Sequence, residues 1–248
     1  MKNGIIIFFV LALFTLLSCS KDSGTNPNDD EDFTNAFITQ EAQLAALWLT
    51  NEFTPPEDVA QQIANDLVKI RAEYADSIEI FNVNFLFPYW SGGITVGLTD
   101  SAVSAIRAGT YTAWDIVNDS LNIAYIDTVY LYGRVAYLNF QYLMNPVKVA
   151  THYVNLEGVR YANASSYFGD YSNFYPWYVD GRIAYLFRYG WGDCPAGCIY
   201  SHFWYIKNID GKFEIIGDFS TENHDPFPDW WEEIKLASAM YWYQLTAD

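Results

Sequence analysis

Apolar residues recur at helical spacing twice in the first third of the chain. In 39–51, TQEAQLAALWLTN, Leu44, Leu47 and Trp48 fall on one side. Downstream, Thr54 precedes Pro55-Pro56-Glu57, an order that places proline at the first helical position and glutamate three residues after a cap. Val59, Ile63, Leu67 and Ile70 then form a stripe. Together the two stretches predict a helical hairpin. From Ile94 the period changes. ITVGL predicts a short strand, Thr99 caps DSAVSAIRA, and Gly109 ends that helix. YTAWDIVNDSL allows a further turn or two of helix before strand-like runs at 123–126 and 134–142. Asn145-Pro146 opens a helix with Val149, Tyr153 and Leu156 on one face, and Gly158 closes it before the strand VRYANA. Strand, helix, strand, strand, helix, strand is the split βαβ order of a ferredoxin-like fold.

The last third alternates with period two. Residues 182–189, 199–206 and 212–216 are aromatic and β-branched, and Asp210-Gly211 marks a hairpin turn between the last two. They predict a three-stranded antiparallel meander, closed by an amphipathic helix, DWWEEIKLASAMYWYQL, capped by Asp229. The expected fold class is α+β. Its parts are a helical segment at 34–90, a ferredoxin-like segment at 91–166, and a meander with its helix at 167–248.

The N-terminus changes the picture by giving the chain an address. Met1-Lys2-Asn3-Gly4 is short and positive, and the apolar run 5–17 is too short to span a bilayer and stops at Ser18-Cys19. Leu16-Leu17-Ser18-Cys19 resembles the lipobox of bacterial lipoproteins. The resemblance implies a signal peptide at 1–18, diacylation (palmitate included) of Cys19 as the new first residue, and attachment to a membrane through that lipid. Serine after the cysteine, in place of the aspartate that retains lipoproteins at the inner membrane, favours the outer membrane of the cell envelope. Residues 19–33 are rich in Ser, Gly, Asn and Asp and end in an acidic cluster, the composition of a flexible tether.

Charge excludes some partners. The 248 residues carry a formal charge of −17, with no basic run, which argues against nucleic acid and anionic lipid surfaces. Hydrophobic residues make up 51%, enough to bury a substantial core.

Cys194 and Cys198, in WGDCPAGC, are the first candidate for chemistry. Pro195 and Gly197 between them favour a tight reversal that brings the sulfurs together, and thiols of an exported chain tend to oxidise, so a disulfide staple is expected. A redox pair fits less well, because catalytic pairs sit two residues apart at a helix start. A metal site at Cys194, Cys198 and His202, completed by Asp193 or His224, is the remaining alternative, although a second close ligand pair is lacking. No cofactor is expected.

Aromatic residues crowd the final third. Trp177, Tyr178, Trp191 and Trp204 are candidate ligand contacts, able to stack on sugar faces. Along 199–206 both strand faces carry rings, so burial as core competes with an exposed platform. Asp170, Asp193, Asp210, Glu214 and Asp218 could in principle supply the two carboxyls of a glycoside hydrolase, but so acidic a chain offers such pairs by chance. The sequence holds no G-x-S-x-G, H-E-x-x-H, P-loop or dinucleotide fingerprint.

Two further resemblances bear on function. YGWGDCPAGCIYSHFWYIKNIDGKF looks like a segment of uncharacterised bacterial secreted proteins and implies no activity. Residues 94–166, with HYVNLEGVRYANA, are similar to the propeptide inhibitors of subtilisin-like proteases, which implies a ferredoxin-like fold and a stand-alone inhibitor. The expected function is a non-enzymatic, lipid-anchored binding module of the cell envelope with a protein or glycan ligand. The alternatives are a propeptide-like protease inhibitor and a glycan-binding or glycan-hydrolysing lipoprotein.

Overall fold

The computed structural model describes residues 36–74, 81, 83–129, 133–166, 170–223 and 226–237. The signal peptide, Cys19, the tether, His224 and the last part of the closing helix, 238–248, lie outside the described residues.

Helix α1, Gln40–Thr50, starts at Thr39, whose hydroxyl accepts the Ala42 amide at 3.2 Å, and ends at Asn51 in the left-handed conformation. Helix α2, Glu57–Glu73, begins later than its sequence suggests, because Pro56, extended at ψ 130°, is its N-cap and Thr54 does not cap it. A residue that precedes proline is driven out of the helical region, so Pro55 cannot open the helix while Pro56 follows it. The hairpin forms and is clamped by a two-pronged ion pair. Arg71 of α2 donates to both oxygens of Glu41 of α1, at 2.8 and 3.0 Å. It also donates to the Phe81 and Val83 carbonyls, and the Phe85 amide donates back to Glu41 at 3.0 Å.

The ferredoxin-like segment contains β1 (Tyr89–Leu98), α3 (Asp100–Arg107), α4 (Asp115–Ser120), β2 (Ile123–Val129), β3 (Val135–Phe140), α5 (Pro146–Tyr153) and β4 (Val159–Ser166). Its sheet has the order β2-β3-β1-β4 with every neighbouring pair antiparallel, the topology that the split βαβ order predicts. Thr99 caps α3, and the Asn145 side chain accepts the Val147 and Lys148 amides to cap α5. Ile94, Val96 and Leu98 of β1 with Ala136 and Leu138 of β3 close a core against Ala102, Trp114, Val149 and Tyr153.

The meander has four strands where the sequence suggests three: β5 (Asn173–Val179), β6 (Arg182–Trp191), β7 (Tyr200–Ile209) and β8 (Lys212–Ser220), in sequential antiparallel order. Strand β5 hides in the sequence because Pro176 interrupts it. The proline is tolerated because β5 is an edge strand. Its partner turn, Asp180-Gly181, takes positive φ at both residues, the signature of a two-residue type I′ hairpin, and Asp210-Gly211 does the same between β7 and β8. The closing helix α6 occupies 231–237 among the described residues and starts two residues beyond Asp229.

One face of this sheet meets α1, α2 and the segment that follows them. Phe81 packs edge-on to Phe187 at 5.1 Å, and Phe85 against Phe174 at 5.3 Å. The other face takes α6 and its approach, with Trp231 against Phe203 and Trp230 against Tyr205. The helical hairpin and the meander therefore share one core, while the ferredoxin-like segment keeps its own.

Where hairpin meets sheet, the Tyr185 hydroxyl donates to Asp66 at 2.7 Å. Burial pushes the Asp66 carboxyl up from 3.8 to about 6, with the Tyr185 hydrogen bond and the Lys69 charge pulling the other way. A raised value means that the fold favours the protonated acid. Its contribution is complete below about pH 4 and is lost as pH climbs through about 6. In urea titrations at pH 4 and pH 7, the native chain should lose up to roughly 2 kcal/mol more between the two pH values than Asp66→Asn does. Equal losses would exclude this assignment.

Candidate functional site

The connection from β6 to β7 is short and heavily anchored. Cys194–Ala196 form a single 3-10 turn closed by the Gly197 amide on the Cys194 carbonyl at 3.1 Å, and Gly197 takes φ 118°, a conformation that favours glycine. Cys194 and Cys198 stand at disulfide distance, with Cα atoms 3.9 Å apart. The loop lies directly on β6. A Cβ on Gly190 would collide with the Cys198 sulfur, so this close approach needs the glycine.

Beneath the loop lies a buried ion pair. Arg188 of β6 and Asp170, each about 5% exposed at the side chain, form a fork-to-fork contact in which one arm measures 2.6 Å. Arg188 Nε donates to Ser201 of β7 at 2.8 Å. Asp170 in turn accepts the Cys198 amide at 3.0 Å, and its own amide donates to the Cys194 carbonyl at 2.8 Å. Burial works against the Arg188 charge, but hydrogen bonds to Asp170 and the nearby charges outweigh it and hold the guanidinium above its ordinary value. One side of the loop is therefore bolted to both central strands.

The ends of the same loop carry the site. Register pairs Trp191 with Tyr200, Tyr189 with His202, and Phe187 with Trp204, so these residues share the face that α1 and α2 cover. The cover stops at Phe187 and Trp204, both touched by Phe81. Beyond that line the rings continue into solvent. Tyr189 is 48% exposed, while Trp191, Tyr200 and His202 are half-buried. Tyr189 stacks with Trp191 at 5.7 Å and 24°, Trp191 meets Tyr200 at 5.7 Å, and His202 lies flat on Trp204 at 4.0 Å and 5°. His202 Nε2 is 2.7 Å from Asp218 Oδ2 on β8. Tyr189, Trp191, His202 and Trp204 line an open depression of about 350 Å³. It offers ring faces for stacking and one imidazole–carboxylate pair for hydrogen bonds.

The sequence-derived candidates divide accordingly. Trp191 and Trp204 come together in the strip. Trp177 instead stands opposite Ala184 on the other face of the sheet, packed against the buried core, and Tyr178, exposed beside the β5–β6 turn, sits opposite Ile183, eight residues and about 26 Å along β6 from Trp191. His202 is engaged by Trp204 and Asp218, and among the described residues no three His, Cys, Asp or Glu side chains gather to hold a metal ion. Asp170, a candidate acid, is committed to Arg188. Asp210 is a turn residue at φ 52°. Sequence reasoning missed Arg188 altogether. An arginine at an inward strand position between Phe187 and Tyr189 was the available signal, since a buried arginine demands a carboxylate partner.

No protein-family model matches this chain. No curated protein and no solved structure matches it either.

The ion pair generates a stability prediction. Asp170→Asn leaves a buried guanidinium without its counter-charge and should destabilise the protein by about 3–5 kcal/mol. Arg188→Met combined with Asp170→Leu, which removes both charges, should recover most of that loss. Chemical denaturation of the three proteins measures it, and a mild effect of Asp170→Asn alone would show that the pair does not hold the loop.

Proposed function

We propose that this chain is a non-catalytic binding module, held at the cell envelope by lipid on Cys19, and that its ligand is a glycan taken on the strip of Tyr189, Trp191, Tyr200, His202 and Trp204. The observation that carries this is the stop in the helical cover: the rings of this sheet face run on past Phe187 and Trp204, and its last two cross-strand pairs, Tyr189 with His202 and Trp191 with Tyr200, are only partly covered or open. An aromatic side chain left half in water forfeits burial that strands otherwise use to build core, and a row of them beside a hydrogen-bonding pair suits an amphipathic ligand. A sugar matches on both counts, with C–H faces for the rings and hydroxyls for His202 and Asp218. The disulfide-distance pair and the Arg188–Asp170 contact keep the loop rigid, so binding orders little that is not already ordered.

Turnover has less support. Of the carboxylates considered for hydrolysis, Asp170 is buried in its ion pair and Asp218 is held by His202. The protease-inhibitor alternative draws on the ferredoxin-like topology, but such inhibitors present a free tail after the last strand. Here only six residues separate Ser166 of β4 from Asn173 of β5, so the chain is already committed to the meander.

Two tests follow. In cells that process lipoproteins, Cys19→Ala should abolish metabolic lipid labelling and move the protein from the membrane to the soluble fraction; unchanged labelling rules out the anchor. Tryptophan fluorescence of the full chain in detergent, titrated with a panel of bacterial and plant polysaccharides, should quench saturably. Tyr189→Ala with Trp191→Ala should weaken that binding at least about tenfold, the loss of one or two stacked rings. Unaltered binding removes the strip from consideration.

A further inference from the structure

We propose a second glycan-binding surface, independent of the strip, on the open face of the ferredoxin-like sheet. Ile94, Val96 and Leu98 of β1 are buried on the side of α3 and α5, so strand alternation turns Gly93, Thr95 and Gly97 to the opposite side. Two of these three are glycines, and an aromatic ring lies on each. A Cβ at Gly97 would overlap three carbons of the Tyr161 ring from β4. The Trp90 indole spans two glycines: a Cβ at Gly92 would lie 2.8–3.0 Å from three of its atoms, and one at Gly93 2.9 Å from a fourth. Several ring atoms nearly equidistant from one such point describe a ring lying flat on the strand. One face of each ring is pressed on backbone and the other is turned outward, with Trp90 38% and Tyr161 41% exposed.

Glycine at these positions is costly in a central strand, where it gives up cross-strand packing. Here it gives the rings room to lie down and, at Gly93, also clears the Leu138 carbonyl of β3. An upright ring presents an edge, whereas a flat one presents the electron-rich face on which sugar C–H groups stack. The space between the rings is polar. Thr95 stands between Gly93 and Gly97, with Tyr137 of β3 and Asn163 of β4 as its register partners, and Asn139 lies beside Gly93. Gly93 and Gly97 are about 13 Å apart along β1, a span for an oligosaccharide rather than a single sugar.

Charge selects the occupant. In a chain of formal charge −17, none of these six described side chains, Trp90, Thr95, Tyr137, Asn139, Tyr161 and Asn163, is ionised at neutral pH, and the residue that register adds beside Tyr137 on β2, Asp127, is an acid that disfavours anions. A nucleic acid or an anionic peptide would find no counter-charge among them, and a hydrophobic protein surface would strand the Asn139 and Asn163 amides, the Thr95 hydroxyl meeting Ser165 at 3.3 Å. Neutral oligosaccharide satisfies both the ring faces and the uncharged hydrogen-bonding groups.

The test is isothermal titration of the full chain in detergent with three neutral hexasaccharides built from glucose, xylose and mannose. The Tyr189→Ala/Trp191→Ala chain, with the strip disabled, should still bind at least one of them. Adding Trp90→Ala or Tyr161→Ala should weaken that residual binding about tenfold or more, while Trp90→Phe, which keeps a flat ring, should retain most of it. Thermal melting checks that each variant is folded, and if the alanine variants do not fold, the Trp90→Phe and Tyr161→Phe chains are compared with Thr95→Val, expected to weaken binding severalfold by removing the central hydroxyl. Three results overturn the proposal: no binding once the strip is disabled, residual binding indifferent to Trp90, Tyr161 and Thr95, or preference for a charged oligosaccharide over all three neutral ones. Binding that depends on the strip alone overturns this surface and leaves the strip intact. Absence of all binding by the unaltered chain defeats both.

Discussion

Arg188 has nowhere to go but to Asp170. It occupies an inward position of the central strand β6, between Phe187 and Tyr189 in sequence and opposite Phe203 in register. A guanidinium taken out of water there is tolerable only if its donors are spent, and Asp170, Ser201 and the Tyr171 carbonyl take them. Asp170 can reach Arg188 only if the strand that follows it starts at Asn173, and its remaining capacity is used to seat the loop of Cys194 and Cys198. A single charge in the core thus ties the residues before β5 and the Cys194–Cys198 loop to β6 and, through Ser201, to β7.

That fixation decides which face of the sheet is free. The loop is drawn down on the side of Arg188, Ser201 and Gly190, where Cys198 lies against Gly190. Tyr189, Trp191, Tyr200 and His202 point the other way, toward the helical hairpin, and the hairpin is too short along the strands to reach them. Their exposure results from two separate restraints, a loop pinned to one side and a helical cover clamped by Arg71 and Glu41 that ends at Phe81 and Trp204.

Much of the fold was legible because its signals are local. Thr99 and Asn145-Pro146 open helices through caps that act within three residues, and the element order of 94–166 follows from them; Gly158, expected to close α5, lies instead in the turn before β4, because the helix ends earlier, at Tyr153 with Val154 as its C-cap. What failed was where two local rules met. Pro55-Pro56 contains both a proline suited to a first turn and a residue that precedes proline, and the second effect prevailed. Pro176 masked β5 because a proline argues against a strand unless the strand is known to be an edge, which only the assembled sheet reveals. The site was legible in composition but not in arrangement. Rings on both faces of 199–206 were visible in the sequence, whereas the point at which the helices stop covering them depends on hairpin length, on Phe81, and on a clamp thirty residues apart in sequence.

The two ring surfaces are made by different physics, and this bears on how each would respond to change. In the strip, rings are held by one another: Tyr189 on Trp191, Trp191 on Tyr200, His202 on Trp204. Removing one loosens its neighbours, so losses there should be coupled rather than additive. On the ferredoxin-like sheet, Trp90 and Tyr161 rest on separate glycines about 13 Å apart, each positioned by backbone rather than by the other ring. Substitutions at those two positions should act independently on the ring positions, and a Cβ at Gly97 should displace the Tyr161 ring above it, whereas one at Gly93 would meet the Leu138 carbonyl of β3 as well as the Trp90 ring. The glycines of β1 are thus what set the orientation of this surface, and the side chains they lack are as much a part of it as the rings that lie upon them.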